Sequence, residues 1–281
     1  MRPLVAVFIG DTQQTLFAER LVGRESNPEA RTRLLREVRA LGAERYFAFG
    51  DLVAYPSSAN WRELDIWLAA LRSGGATLAV SPGNHDLWPF PRRGYAALRS
   101  RELIPRGESW QRFDVASVRV FLLDSNRAAL PRAAFREQVL WLEHEVELAH
   151  RDPTVGPLLF VSHHPPFTNS TVTSDEERML TPLLDVFRSC RKRATWLSGH
   201  VHAYERFEEQ GRTLVVSGSS GSPRVLLKKG KAARHNDLAA VGSPSPFGWL
   251  ELRADATHAS LSFRGFRTIG SEVATYDQFA L

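Results

Sequence analysis

Residues 4–11 read Leu-Val-Ala-Val-Phe-Ile-Gly-Asp. An apolar run of that length, closed by a glycine and an acid, has the signature of a strand buried on both faces. The figure recurs along the chain. The run 45–49 ends in Gly50-Asp51-Leu52-Val53, and Thr77–Val80 leads into Gly83-Asn84-His85-Asp86. Leu158–Ser162 ends in His163-His164-Pro165-Pro166, and 195–198 ends in Gly199-His200-Val201-His202. A further apolar run lies at 118–123. Between the runs the apolar period changes from two to about 3.6. Leu34, Leu35, Val38 and Leu41 mark one helix, begun by Asn27 as cap and Pro28 in the first turn. Trp61, Leu64, Trp67, Leu68 and Leu71 mark a second, and Val139, Leu142, Val146 and Ala149 a third. Strands alternating with helices predict an α/β fold.

After about Tyr204 the helices stop. Residues 213–217, 223–227, 249–253 and 259–264 read as successive strands. The stretch 228–246 mixes Gly, Ser, Pro, Lys and Asn and reads as a mobile loop. The chain is expected to be one domain, 1–281, with 247–281 as the terminal strands of the second sheet.

Composition narrows the function classes. The 281 residues are 43% hydrophobic and 24% charged, with a formal charge of +5, which excludes a disordered chain. No apolar run reaches the roughly 18 residues of a membrane span. The opening Met1-Arg2-Pro3 and its apolar run are too short for a leader, and Asp11 stands where a cleavage site belongs, so a buried first strand is expected. The lone Cys190 excludes an intrachain disulfide and fits a reducing compartment. Together these point to the cytoplasm. The arginines are scattered among acids, so a nucleic-acid partner is not expected. The tight cluster Lys228-Lys229-Gly230-Lys231 reads as a solvated loop or as a contact for an anionic substrate.

The chemistry lies at the strand ends, where open α/β sheets bind ligands. Two carboxylates, an asparagine and five of the 9 histidines (85, 163, 164, 200 and 202) are delivered there. Bare carboxylates gathered at one edge repel each other and are costly to desolvate unless cations compensate. A nitrogen and oxygen donor set without thiolate suits Mn, Fe or Zn better than Ca. Two such ions ~3.5–4 Å apart can clamp a phosphate and activate a bridging water.

The five motifs together resemble the calcineurin-like metallophosphoesterase family, in the family's order, over roughly residues 4–222. Gly-His-Val-His-Ala-Tyr-Glu-Arg at 199–206 is similar to the purple acid phosphatase branch. So are Gln138 with Trp141-Leu142, and 163–167 followed by Asn169-Ser170. The resemblance implies a four-layer α-β-β-α sandwich, two mixed sheets flanked by helices, and two divalent or trivalent metal ions. It implies that Asp51 bridges both ions, that Asp11 and His202 bind the first, and that Asn84, His163 and His200 bind the second. It implies that His85 is catalytic, facing substrate rather than metal. Gln13 stands where the family commonly has histidine, and Ala54, followed by Tyr55, where the purple branch has tyrosine. Gln13, Tyr55 and His164 are therefore additional candidates for metal or pocket.

The activity implied is hydrolysis of a small phosphorylated substrate by a metal-bound hydroxide, with phosphomonoesters favoured. A phosphodiesterase acting on cyclic nucleotides or other diesters is one alternative, and a non-catalytic metal-binding module another. Arg206 and Arg224 are candidates for extra phosphate charge. Trp88, Pro89, Phe90 and Phe167 either contact a base or aryl group or pack their loops.

Overall fold

The computed structural model describes residues 3–21, 23–239 and 241–281. Met1 and Arg2 of the leader-like stretch and Ala240 of the 228–246 segment lie outside the described residues. In chain order the elements are β1 (Leu4–Ile9), α1 (Phe17–Leu21), α2 (Pro28–Ala40), β2 (Arg45–Ala48), α3 (Ser58–Arg72), β3 (Thr77–Val80), α4 (Asn84–Leu87) and α5 (Pro91–Ser100). There follow β4 (Gln111–Val115), β5 (Val118–Leu122), α6 (Arg132–Arg151), β6 (Leu158–Ser162), α7 (Glu177–Arg188) and β7 (Ala194–Ser198). The chain closes with β8 (Tyr204–Glu209), β9 (Arg212–Ser217), β10 (Phe247–Ala254), β11 (Ala259–Phe266) and β12 (Ala274–Ala280).

Two six-stranded mixed sheets result, in the orders β12-β11-β10-β1-β2-β3 and β4-β5-β6-β7-β9-β8. Strand alternation sends each apolar run to two cores. Ala6 and Phe8 of β1 face inward with Leu122, Val161 and Leu197 of the opposite sheet. Val7 and Ile9 face outward under Leu34, Val38, Trp61 and Leu64 of α2 and α3. On the far side Phe121, Phe160 and Trp196 meet Leu142, Val146, Leu183 and Phe187 of α6 and α7. Helix, sheet, sheet and helix form the four layers. Each fully buried aliphatic or phenyl side chain in them contributes roughly 1.5–3 kcal/mol.

The expectation that 247–281 completes the second sheet is corrected. That role falls to β8 and β9, while β10 pairs antiparallel with β1, Val7 opposite Glu251 and Phe8 opposite Leu250. The free edge of β1 takes it because the pairing sends Leu250, Leu252, Leu261 and Phe263 into the inter-sheet core. Residues 223–227 form no strand beyond a bridge from Leu227 to Ser170, because the Val225 N–H is spent on the His202 carbonyl. The Asn27 side chain does not cap α2 but donates to Glu25 and to the Ser222 carbonyl.

The 228–246 segment has little regular structure yet many ties. The Asn169 side chain binds the backbone of Arg234 and His235, and His235 stacks on Phe167 at 4.5 Å. The Arg234 guanidinium donates to the carbonyls of Thr168, Ser170 and Thr173.

No helix among the described residues is long and apolar enough to cross a membrane. Cys190 is buried just beyond α7, its Sγ 3.4 Å from the Val186 carbonyl. Burial pushes its thiol up to about 12, so it stays protonated at neutral pH. The native protein is therefore expected to resist a thiol reagent such as dithionitrobenzoate and to react only after unfolding in guanidinium. Fast reaction of the native protein would contradict the burial.

Candidate metal centre

The motif loops leave the ends of β1, β2, β3, β6 and β7, and the sheet packing brings those ends together. Asp11, Asp51 and His200 all turn with left-handed backbone, at φ of 60°, 52° and 65°. Non-glycine residues seldom adopt that region, and it carries strain that surrounding structure must hold. Gly83 and Gly199 are required by close approach. A Cβ at Gly83 would collide with Asp51, and one at Gly199 with the Asp11 carboxylate.

The donors gather in two groups. His163, His164 and His200 form one, and Asp11, Asp51 and His202 the other, with donor atoms within 4.8 Å of one another in each. His163 Nε2 lies 2.9 Å from Asn84 Oδ1, 3.1 Å from His200 Nδ1 and 3.4 Å from Asp51 Oδ2. His202 Nε2 lies 3.5 Å from Asp11 Oδ1 and 3.1 Å from the Gln13 amide, which also reaches Asp51 Oδ2 at 3.4 Å. Asp51 thus touches both groups.

Backbone carbonyls fix which imidazole nitrogen faces inward. His163 Nδ1 is 2.7 Å from the Phe49 carbonyl, His202 Nδ1 2.6 Å from that of Pro223, and His85 Nδ1 2.8 Å from that of Ala54. A carbonyl only accepts, so Nδ1 holds the proton and Nε2 is left to the site. Burial, reinforced by the neighbouring His163, lowers His200 to about 3 and His164 well below its ordinary value. Burial lowers His202 to about 4. These rings are neutral, with lone pairs available. His163 is the exception: against the effect of burial, Asp51 raises it to about 9. Its charge in turn holds the buried Asp51 carboxyl far below the usual range. Burial and Asp51 push Asp11 well up. Crowded carboxylates, neutral imidazoles and a buried Gln13 Oε1 without a partner among the described residues fit metal cations.

The site's key support is Asp86, the acid that follows His85. Its buried carboxylate accepts the N–H groups of Asp51 (2.9 Å), Leu52 (2.8 Å), Val53 (3.3 Å) and Gly83 (3.0 Å). Burial and the nearby Asp51 raise it to about 7. His85 is half-buried, and its backbone N–H donates to Asp51 Oδ1 at 2.7 Å.

Not every candidate arrives. Tyr55 is 42% exposed, and its carbonyl accepts from Ser57 and Asn60 at the start of α3. His164 joins the histidine group, its Nδ1 2.8 Å from Ser125 Oγ. Arg206 is paired with Asp277 and Arg224 with Glu25, so neither guanidinium is free for phosphate. Lys228 and Lys229 line a separate cleft of about 500 Å³ that shares no residue with either donor group.

The model of the calcineurin-like phosphoesterase family matches residues 4–204. Purple acid phosphatase 21 of Arabidopsis thaliana is 31% identical over 140 residues, 46% of this chain and 31% of that protein. Probable purple acid phosphatase 20 of the same plant is 29% identical over 201 residues, 64% of this chain and 45% of that protein. The aligned part is less than half the length of either relative. Among solved structures, the purple acid phosphatase PPD1 from yellow lupin (Lupinus luteus) seeds superposes with a TM-score of 0.70 at 16% identity, covering 100% of this chain and 54% of that one. A dimetal phosphatase from Danio rerio gives 0.62 at 15% identity, covering 98% and 99%. These structural likenesses speak to the fold.

With His163 as a ligand, its raised pKa would make metal uptake depend on pH. Its Nε2 must shed a proton before it can ligate, so affinity falls as pH drops below about 9. Between about pH 6.5 and 8.5, calorimetric titration with Mn²⁺ is expected to give roughly tenfold tighter binding per unit for one proton released. A flat profile would remove His163 from the ligands.

Proposed function

The chain belongs to the calcineurin-like phosphoesterase family, and from that premise we propose that it is a phosphomonoesterase with a binuclear metal centre. The observation that carries this is the position of Asp51, which touches the His163 group through Oδ2 and also belongs to the group with Asp11 and His202. On this reading Asp51 is the shared ligand, Asp11 and His202 complete one site, and Asn84, His163 and His200 the other. Gln13 and His164 flank them. Mn, Fe and Zn all suit these donors. The bound ions supply Lewis acidity and an activated water.

The chain's own residues do the rest. Buried donors exclude bulk water and fix the phosphoryl group at the strand ends. His85 holds a proton at Nδ1 on the Ala54 carbonyl, and its Nε2 is the nitrogen left to face substrate. In its doubly protonated form His85 would also carry a proton at Nε2: the P–O bond to the alcohol breaks, water's oxygen is added to phosphorus, the leaving oxygen takes the Nε2 proton, and the proton given up by the water restores it through solvent. The backbone N–H of His85 on Asp51 ties the acid to the shared ligand. A cytoplasmic setting is supported by the free, buried Cys190.

Chelator-stripped protein restored with Mn²⁺ is expected to cleave p-nitrophenyl phosphate faster than the bis-p-nitrophenyl diester. The reverse order would identify a phosphodiesterase, and no turnover with metal bound would favour the binding module. His85→Ala is expected to lower kcat about 10²–10⁴-fold while the protein keeps its metal content by elemental analysis. Loss of metal in that variant would move His85 among the ligands.

A further inference from the structure

A cleft of about 230 Å³ opens beside the histidine group. Asn84, His164, Trp88, Pro89, Ala129 and Met179 are among its lining residues. It follows α4 directly. Trp88, whose N–H caps the Asn84 carbonyl at 2.8 Å, lies three residues past His85. The residue is 58% exposed, an unusual cost for so large an aromatic beside a polar centre.

The opposite wall carries a second unfinished group. The Arg127 guanidinium lies 3.7 Å above the Phe135 ring, and it lines the cleft. Its Nη1 is enclosed and, among the described residues, has no hydrogen-bond partner. The side chain as a whole is only half-buried and lines the cleft, so its other donors are the ones that can meet an anion there.

The cleft is held open before any ligand arrives. Asp124 accepts from Tyr95 Oη at 2.7 Å, Ser109 Oγ at 2.6 Å and the Asn126 backbone at 2.9 Å. Asn126 Nδ2 reaches across to the Pro82 carbonyl at 2.7 Å. The loop bearing Arg127 is thereby tied to the loop bearing Asn84. Size selects the guest. A cavity of about 150 Å³ already accepts benzene, whereas drug-sized ligands fill about 300–1,000 Å³.

We infer that this cleft is the leaving-group subsite. It takes the single aromatic ring of an aryl phosphomonoester, packed on Trp88, with an acceptor oxygen on the ring meeting the Arg127 guanidinium. The inference rests on the phosphomonoesterase reading, but its test is separable. Aryl phosphates also react faster intrinsically, so binding and variants decide rather than rates alone. The Mn²⁺-loaded protein is titrated calorimetrically with methylphosphonate, phenylphosphonate and 4-carboxyphenylphosphonate, none of which is hydrolysed. Phenylphosphonate is expected to bind about tenfold tighter than methylphosphonate, and the carboxylate to add a further gain. Trp88→Ala narrows the first gap and Arg127→Met removes the second. In turnover, Trp88→Ala lowers the kcat/KM ratio of 4-carboxyphenyl phosphate to glycerol 2-phosphate. Equal affinities for the three phosphonates overturn the subsite. Weakened methylphosphonate binding in Arg127→Met also overturns it, by assigning Arg127 to the phosphoryl group. If no phosphoester is hydrolysed but the affinity ladder holds, the subsite stands and the catalytic reading falls.

Discussion

Four backbone N–H groups from two separate loops end on one buried carboxylate, that of Asp86. The rest of the centre depends on this clamp. It binds the loop after β2 to the turn after β3, and so sets where Asp51 and Asn84 stand relative to each other. A buried carboxylate beside Asp51 is electrostatically expensive, and burial first, then the Asp51 charge, raises it to about 7. The four N–H groups offset that cost, because in a buried loop each would otherwise be an unpaired donor. Water could satisfy the same donors but could not hold two loops in one register.

The clamp on Asp51 and separate bonds at Asp11 and His200 explain why strained backbone persists here. Asp11, Asp51 and His200 keep left-handed conformations because the surroundings leave them no alternative. The Asp11 N–H is bound by the Gly50 carbonyl, and the His200 N–H by the Asp11 carboxylate. Gly83 and Gly199 allow the facing turns to close upon those carboxylates without a Cβ between them. Sharp turns at the strand ends point the side chains across the gap between the two sheets, where one sheet alone could supply only half of the donors.

Much of this was legible in the sequence, for a physical reason. Parallel strands buried on both faces write themselves as apolar runs, and residues that turn after them are restricted to Gly, Asp, Asn and His. The motifs therefore located the donors and the layers. Less visible were β4, β8 and β12, which are amphipathic or half-exposed and carry no continuous apolar run. The placement of β10 was also hidden, because a strand's composition does not say which free edge it will meet. The histidine-orienting carbonyls of Phe49, Ala54 and Pro223 are main-chain atoms, so no residue type announces them. Asp86 carried a signal in retrospect: an acid at N3 after Gly83, the position from which a side chain reaches back to free N–H groups.

Charge arithmetic gives the donor set a further meaning. The two groups contain only Asp11 and Asp51 as carboxylates, while Gln13 and Asn84 are amides and the remaining donors imidazoles. Without cations, His163 must carry the proton that balances Asp51. With two divalent ions in the proposed arrangement, those carboxylates cancel only half of the added charge. The excess is positive and sits in a desolvated site, where Coulomb terms are several times stronger than in water. While the attacking water is still neutral, a phosphomonoester dianion balances that excess and a diester monoanion leaves part of it unpaired; ionisation of the water to hydroxide removes one further charge. Had position 13 held an acid instead of Gln13, that excess would shrink and with it the advantage of the monoester. The neutral amide thus does more than tolerate a metal neighbour: on the proposed reading it tunes the site towards the more highly charged substrate.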